Sequence, residues 1–406
     1  MRLAPDQAVL LQGLQGLGQH LLAHPAHRAA QFAEPVGAVQ QHGEHQDGPA
    51  AGDVFEDAPG GAGGRVDVDG EPAGQFLHPG VHDSSLLEGG YFRLVSDFPG
   101  VRQASRRPPP SPFRSRITMS IVVTGATGQL GRLVIEELLT RVPAAEVAAA
   151  VRDQDRAADL AARGVELRTA DYDRPETLAD AIRPGDTVLL ISGNEIGRRT
   201  AQHGAVIDAA QAAGAARLVY TGVLGGPDAD FRLADEHKAT ERLVLDSGLP
   251  YTFLRNGWYT ENYTALIPVQ LEHGVAGSTA GGRVGAAGRA DYAAAAAEVL
   301  TGAGHEGRAY ELSGDRAWTL AEYAAELSRQ SGRPVAHHEL PAEANLALLT
   351  GAGLPRPLAE ILVDVDVSGI ARGLLAGGSG DLARLIGRPT TPLAETVARA
   401  LAAHAG

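Results

Sequence analysis

Residues 121–135 read I-V-V-T-G-A-T-G-Q-L-G-R-L-V-I: an apolar run, then Gly125, Gly128 and Gly131 in G-x-x-G-x-x-G spacing, then an amphipathic run. The pattern predicts a strand, a tight turn and a helix N-terminus. The first glycine permits the turn, the second lets backbone approach a pyrophosphate with no Cβ in the way, and the third brings helix and strand close together. Phosphates would meet the free N–H groups of the helix start. A glycine triplet also suits an ordinary tight turn, so the flanking chain has to decide.

Working outward from that stretch, apolar strands alternate with helical patterns from Met119 onward, as in a parallel sheet built from crossovers. Strands are expected at Ser120–Thr124, Ala145–Val151, Val165–Thr169, Thr187–Ser192, Ala216–Thr221 and Tyr251–Arg255. Helices are expected at Gln129–Arg141, Asp153–Arg163, Pro175–Ile182, Arg198–Ala213 and Leu233–Asp246. The fold class is α/β, a Rossmann-type doubly wound parallel sheet with six strands in series, and a ligand belongs at their carboxyl ends. Strands at Ala309–Ser313 and Pro334–Leu340, with a capped helix at Thr319–Gly332, are assigned to a smaller C-terminal α/β substrate lobe. The expected division is 119–270 for the dinucleotide domain and 271–406 mainly for the substrate lobe.

Residues 1–118 differ in texture: they contain no lysine and are crowded with Gly, Pro, Gln and His. Scattered apolar residues predict disorder, with a weak helix at Ala8–Leu22 and a basic, proline-rich linker at Arg102–Arg116. An alternative is that translation starts at Met119 and the preceding residues are a spurious upstream extension. The formal charge of −14 argues against a nucleic-acid surface. Cysteine is absent, and His337, His338 and Glu339 fall on a short strand whose neighbours point to opposite faces, so no metal site is expected. No run approaches the ~20 apolar residues of a membrane span, and a cytoplasmic location is the expectation. A homodimer is left open.

The turns after the strands supply the chemistry. The glycine loop Gly125, Ala126, Thr127, Gly128, Gln129 and Leu130 is assigned to a dinucleotide. Arg152 follows the second strand, where an arginine can receive a 2′-phosphate, which favours NADPH; the adjacent Asp153 keeps NADH open. Asp171 and Tyr172 stand where an adenine is held, and Ser192, Gly193 and Asn194 would line the nicotinamide side. On the helix after strand five, the tyrosine of a Tyr-x-x-x-Lys pair is replaced by Ala234, four residues before Lys238. E-H-K-A-T-E stands there instead, with His237 and Glu241 on one face, against the plainer reading of a solvated ion-pair face. A ketone would need a positioned acid. A quinone yields a stabilised phenolate that solvent or histidine can protonate. After strand six, Asn256, Gly257, Trp258, Tyr259, Thr260, Glu261, Asn262 and Tyr263 form an aromatic and amide-rich block suited to a flat ring beside a nicotinamide.

T-G-A-T-G-Q-L-G, V-R-D, A-D-Y-D, L-L-I-S, A-D-E-H with T-E following, L-R-N-G-W-Y-T-E-N-Y, R-A-D-Y at Arg289–Tyr292 and I-G-R-P-T-T-P-L together resemble the NmrA-like atypical short-chain dehydrogenases, in particular their type 2 NAD(P)H:quinone oxidoreductase branch. The resemblance covers Met119 to about Ala402. It implies an NADPH-dependent reductase that passes hydride to a small quinone without flavin. Gly125–Leu130 and Arg152 would hold the dinucleotide, Ser192–Asn194 and Asn256–Glu261 its nicotinamide end. His237, Lys238 and Asn262 are the catalytic candidates, and Trp258, Tyr259 and Tyr263 would face substrate. A rival function within the family is an NADP(H)-sensing regulatory protein without turnover.

Overall fold

The computed structural model describes residues 119–405. The readings of residues 1–118, with Ala8–Leu22 and Arg102–Arg116, lie outside the described residues.

In chain order the first of the described elements are β1 (Ile121–Val123), α1 (Gln129–Leu139), β2 (Val147–Val151), α2 (Ala158–Ala162), β3 (Glu166–Thr169), α3 (Pro175–Ala181), β4 (Thr187–Leu190), α4 (Arg199–Ala213), β5 (Arg217–Val223), α5 (Arg232–Asp246) and β6 (Tyr251–Asn256). There follow α6 (Glu261–Thr264), α7 (Ile267–His273), β7 (Val275–Gly277), α8 (Arg289–Thr301), β8 (Arg308–Leu312), α9 (Leu320–Ser331) and β9 (His337–Glu339). The chain closes with α10 (Ala342–Gly351), α11 (Arg356–Asp364), a π-helical turn at Val365–Ile370, α12 (Asp381–Ile386) and α13 (Leu393–Ala405).

Seven parallel strands form the main sheet in the order β3-β2-β1-β4-β5-β6-β8. Alternate residues of each strand feed opposite cores, as the two-residue period requires. Val123, Ala149, Leu189, Val219 and Leu254 pack under α1, α8 and α12. Val122, Ala148, Val188, Leu190, Leu218, Tyr220 and Phe253 pack under α3, α4 and α5. A third core gathers Phe231, Ile267, Val275, Trp318, Leu320, Tyr323, Val365 and Ile370 from both sides of residue 270, and β7 pairs in parallel with β9.

Three expectations change. The strand expected at Ala309–Ser313 joins the main sheet beside β6, with Phe253 opposite Ala309 and Asn256 opposite Leu312, instead of the smaller lobe. The crossover that carries it there is α8, whose alanines 293–297 are buried and let the helix lie close to α1 and the sheet. The helix expected over Asp153–Arg163 is shortened to α2 behind a 3-10 turn at Asp155–Ala157, because the Asp153 carboxylate captures the Asp155 N–H at 3.0 Å. The strand expected at Pro334–Leu340 is confined to β9. The cap on α9 has the expected form: Thr319 Oγ1 accepts from Glu322 N at 3.1 Å, and Glu322 accepts from Thr319 N at 2.8 Å.

Candidate active site

The carboxyl ends of β1, β2, β4, β5 and β6 share one edge of the sheet, and the candidate residues sit along it. Gly125 adopts φ +58°, and Gly128 N–H closes the turn onto Gly125 O at 2.9 Å. Helix α1 then starts with no side-chain cap and no acidic residue in its first turn, so its N-terminal N–H groups remain available to an anion. A Cβ on Gly131 would lie 2.3 Å from Gly125 O, which fixes how closely helix and turn approach. Ala126 and Leu130 face the core, so of these two assigned residues only the backbone can serve a ligand.

Arg152 is exposed and forms no ion pair among the described residues, whereas the Asp153 carboxylate is occupied by its turn. Asp171 Oδ1 accepts from Asp173 N at 3.1 Å, while the Tyr172 hydroxyl is buried without a partner, and burial pushes it up to about 12. Arg152 is thus a free guanidinium beside a satisfied carboxylate, and the Tyr172 hydroxyl an unpaired group below the surface.

The block after β6 divides into scaffold and surface. Glu261 accepts the Arg289 N–H on both oxygens, at 2.9 and 3.1 Å, and so caps α8. The Arg289 guanidinium lies 4.7 Å from the Tyr259 ring centre and donates to Asn262 Oδ1 at 2.9 Å. Asp291 is completely buried and accepts from Arg388 Nη2, Thr391 N and Thr391 Oγ1 at 2.7, 2.7 and 3.1 Å. Tyr292 donates to Trp258 O at 3.3 Å. The R-A-D-Y motif is thus a hub that holds the aromatic block and the I-G-R-P-T-T-P-L segment together. Two amides keep one end free. Asn256 donates to Tyr259 Oη at 3.2 Å and leaves Oδ1 buried and unpaired. Asn262 has Oδ1 fixed by arginine, so its amide nitrogen is the free end. Trp258 and Tyr263 pack on the third core, Tyr263 edge-on to Trp318 at 5.0 Å.

The face containing His237 and Glu241 is buried, not solvated. Glu241 pairs with Arg255 of β6 at 2.8 Å. His237 Nδ1 lies 2.7 Å from Tyr220 Oη, and burial, with Arg199 and His203 nearby, pulls its pKa down to about 3. It is therefore a neutral hydrogen-bonding group, not an imidazolium acid. Lys238, the only lysine in the chain, donates to Ala229 O at 3.0 Å and pairs with Asp235 at 2.9 Å.

The loop after β4 is held by residues that sequence reasoning passed over. Ile191 N and Ser192 N donate to Thr124 Oγ1 and Thr221 Oγ1 at 3.0 and 2.9 Å. Gly193 N–H donates to His203 Nε2 at 3.0 Å, and Gly193 O accepts from Arg199 Nε at 2.7 Å. The signal was present as Arg199 and His203 at i and i+4 on a helix that begins just past the loop. Burial, then Arg199, lowers the His203 pKa to about 4.

Both histidines predict a pH dependence. Their folded pKa values lie below the unfolded value of about 6.5, so between these limits the unfolded chain binds more protons. Their stabilisation is complete above about pH 6.5 and is lost as pH falls towards 4, at up to about 1.4 kcal/mol per pH unit for each histidine. Urea melts of the wild type and His203→Gln between pH 7.5 and 4.5 check this. The variant should lose stability less steeply, and parallel slopes would exclude His203 as a source.

Residues 125–302 match the family described as NAD(P)H-binding. The chain is 50% identical over 278 residues to quinone oxidoreductase 2 of Escherichia coli, covering 68% of this chain and 97% of that protein. The crystal structure of the NADPH-dependent quinone oxidoreductase QOR2 from E. coli complexed with NADPH superposes with a TM-score of 0.68 at 48% identity, covering 69% of this chain and 99% of that one. Citrobacter sp. triphenylmethane reductase complexed with NADP(H) superposes at 0.66 with 40% identity, covering 69% and 100%. With its glycine turn, its uncapped helix start and these relatives, the chain belongs to the NAD(P)H-binding, NmrA-like family.

Proposed function

We propose that this protein is an NADPH-dependent reductase of small quinones that works without flavin, in the cytoplasm. The observation that carries the reading is the pair of half-engaged amides, Asn256 and Asn262, at the edge of the sheet that bears the glycine turn. It is supported by the identity to a quinone oxidoreductase.

NADPH, when bound, supplies the hydride; with one proton from water this converts quinone to hydroquinone. The glycine turn and the start of α1 would hold the pyrophosphate, and Arg152 the 2′-phosphate. The unpaired Asn256 Oδ1 would serve as an acceptor on the nicotinamide side. The free amide nitrogen of Asn262, oriented by Arg289, would offer a donor to the quinone oxygen on which negative charge gathers. His237 stays neutral, Lys238 ties the middle of α5 to the Ala229 carbonyl that precedes the helix, and Trp258 and Tyr263 brace the block from the core side. Every one of these groups comes from one chain, so a homodimer is compatible with the reading and not required by it. Among the described residues no helix is long and apolar enough to cross a membrane.

Following NADPH absorbance with benzoquinone, a naphthoquinone and methylglyoxal as separate acceptors tests the assignment. Turnover is expected with the quinones and not with methylglyoxal. Tight NADPH binding with no turnover on any quinone would instead identify a sensor, the reading favoured by Ala234 in place of the usual tyrosine. Arg152→Glu tests the cofactor choice. Losing a charged hydrogen bond and gaining a like charge should raise KM for NADPH by roughly 10–100-fold and improve NADH. An unchanged ratio of the two would remove Arg152 from this role.

A further inference from the structure

The segment Ile191–Gly193 is anchored more heavily than its fold requires. A Ser-Gly-Asn turn can hold itself through its own backbone. Here three successive N–H groups donate to the side chains of Thr124, Thr221 and His203, drawn from three different elements, and the Gly193 carbonyl accepts from Arg199. The direction of each bond follows. Gly193 N–H needs an acceptor, so His203 Nε2 is unprotonated and Nδ1 carries the hydrogen. Nδ1–H donates to Thr240 Oγ1 at 2.9 Å, and the threonine hydroxyl donates to Glu236 O at 2.8 Å. His203 and Thr240 are completely buried, so this chain of bonds does not exchange with solvent. Arg199 is only 8% exposed, forms no ion pair among the described residues, and leaves Nη1 buried without a partner. Glu236 of α5 offsets part of the charge without an ion-pair contact, and the donor left unpaired beside it is a cost that packing does not explain.

We propose that Arg199 and His203 are positioning residues that grip the Gly193 peptide from both sides, so that Ser192–Asn194 presents a rigid backbone surface to the nicotinamide half of the bound dinucleotide. The proposal rests on the cofactor assignment above and goes beyond it by naming what sets the orientation of the reactive ring. Neither residue touches the ligand; both act through the loop. The adenosine half would be held by the ends of β1, β2 and β3, which neither Arg199 nor His203 contacts by a side-chain hydrogen bond.

The test is calorimetric affinity for NADP+ and for 2′,5′-ADP, which keeps the adenosine phosphates and lacks the nicotinamide half. In His203→Leu and in Arg199→Met the dissociation constant for NADP+ should rise about tenfold while that for 2′,5′-ADP stays within about twofold. The double variant should lose little more than either single one, because both grips act on one peptide. His203→Gln, whose amide can accept and donate in the same places, should recover most of the loss. If both ligands weaken together, or neither moves, the positioning role is overturned. Should the two disruptive variants fail to fold, Arg199→Lys, which lacks the Nε donor, gives the same comparison, with His203→Gln again as the variant that keeps NADP+ affinity. A wild-type chain that does not bind NADP+ overturns the cofactor assignment itself. A wild type that binds NADP+ without reducing quinones overturns the enzyme reading and leaves the affinity comparison intact.

Discussion

Gly131→Ala is expected to cut affinity for NADP+ by at least about tenfold and to lower stability by roughly 1–3 kcal/mol. The added methyl would meet Gly125 O at 2.3 Å, Ala126 Cα at 2.9 Å and Gly125 C at 3.0 Å, all of them backbone. No rotamer change relieves such a contact. Either α1 slides away from β1, opening the core around Val134, Ile135 and Leu138, or the 125–128 turn moves outward. The first route costs stability and the second displaces the N–H groups proposed to receive the pyrophosphate. Thermal melts and NADP+ titration of the variant separate the two shares. Unchanged affinity together with an unchanged melting temperature would mean that the close approach has no role.

The second large effect is expected from Arg255→Met. The guanidinium donates through Nε and Nη2 to both oxygens of Glu241, at 2.9 and 2.8 Å, and through Nη1 to Glu311 at 2.8 Å. These bonds, Glu241 first, hold its pKa well above the usual arginine range. The side chain ties β6 to α5 and β8, and it is 15% exposed against 8% for Glu241. Methionine would fill part of the volume and strand a buried carboxylate beside a second one. Breaking one side of such a cluster costs about 3–5 kcal/mol. A second substitution separates the causes. In chemical denaturation, Glu241→Gln placed on Arg255→Met should recover much of the lost stability if the stranded carboxylate carries the cost, and none of it if lost packing does.

The parts of the fold that could be read from the chain are those set by local pattern. The glycine turn, six of the seven strands in series and the cap at Thr319 each announce themselves within a few residues. β8 was misplaced because nothing in Arg308–Leu312 says that its partner is β6, more than fifty residues earlier. α8 gave no apolar stripe, since a helix of alanines buried almost all round has no polar side to contrast with. In the site, residue types were legible and their partners were not. Glu261 and Tyr259 read as ligand-facing groups, yet one caps a helix and the other lies beneath Arg289. Conversely Arg199 and His203, the latter 37 residues from its partner Thr240, look from the sequence like one face of a polar helix.

The burial of Asp291 has a consequence for how the chain becomes competent. Its carboxylate takes all its partners from residues 388–391, and two residues before it Arg289, capped by Glu261, orients Asn262 and Tyr259. The wall of amides and aromatics is therefore completed by the last twenty residues of the sequence, although Tyr259 and Asn262 were laid down more than a hundred positions earlier. A chain cut short before residue 388 would leave a fully buried carboxylate without a partner.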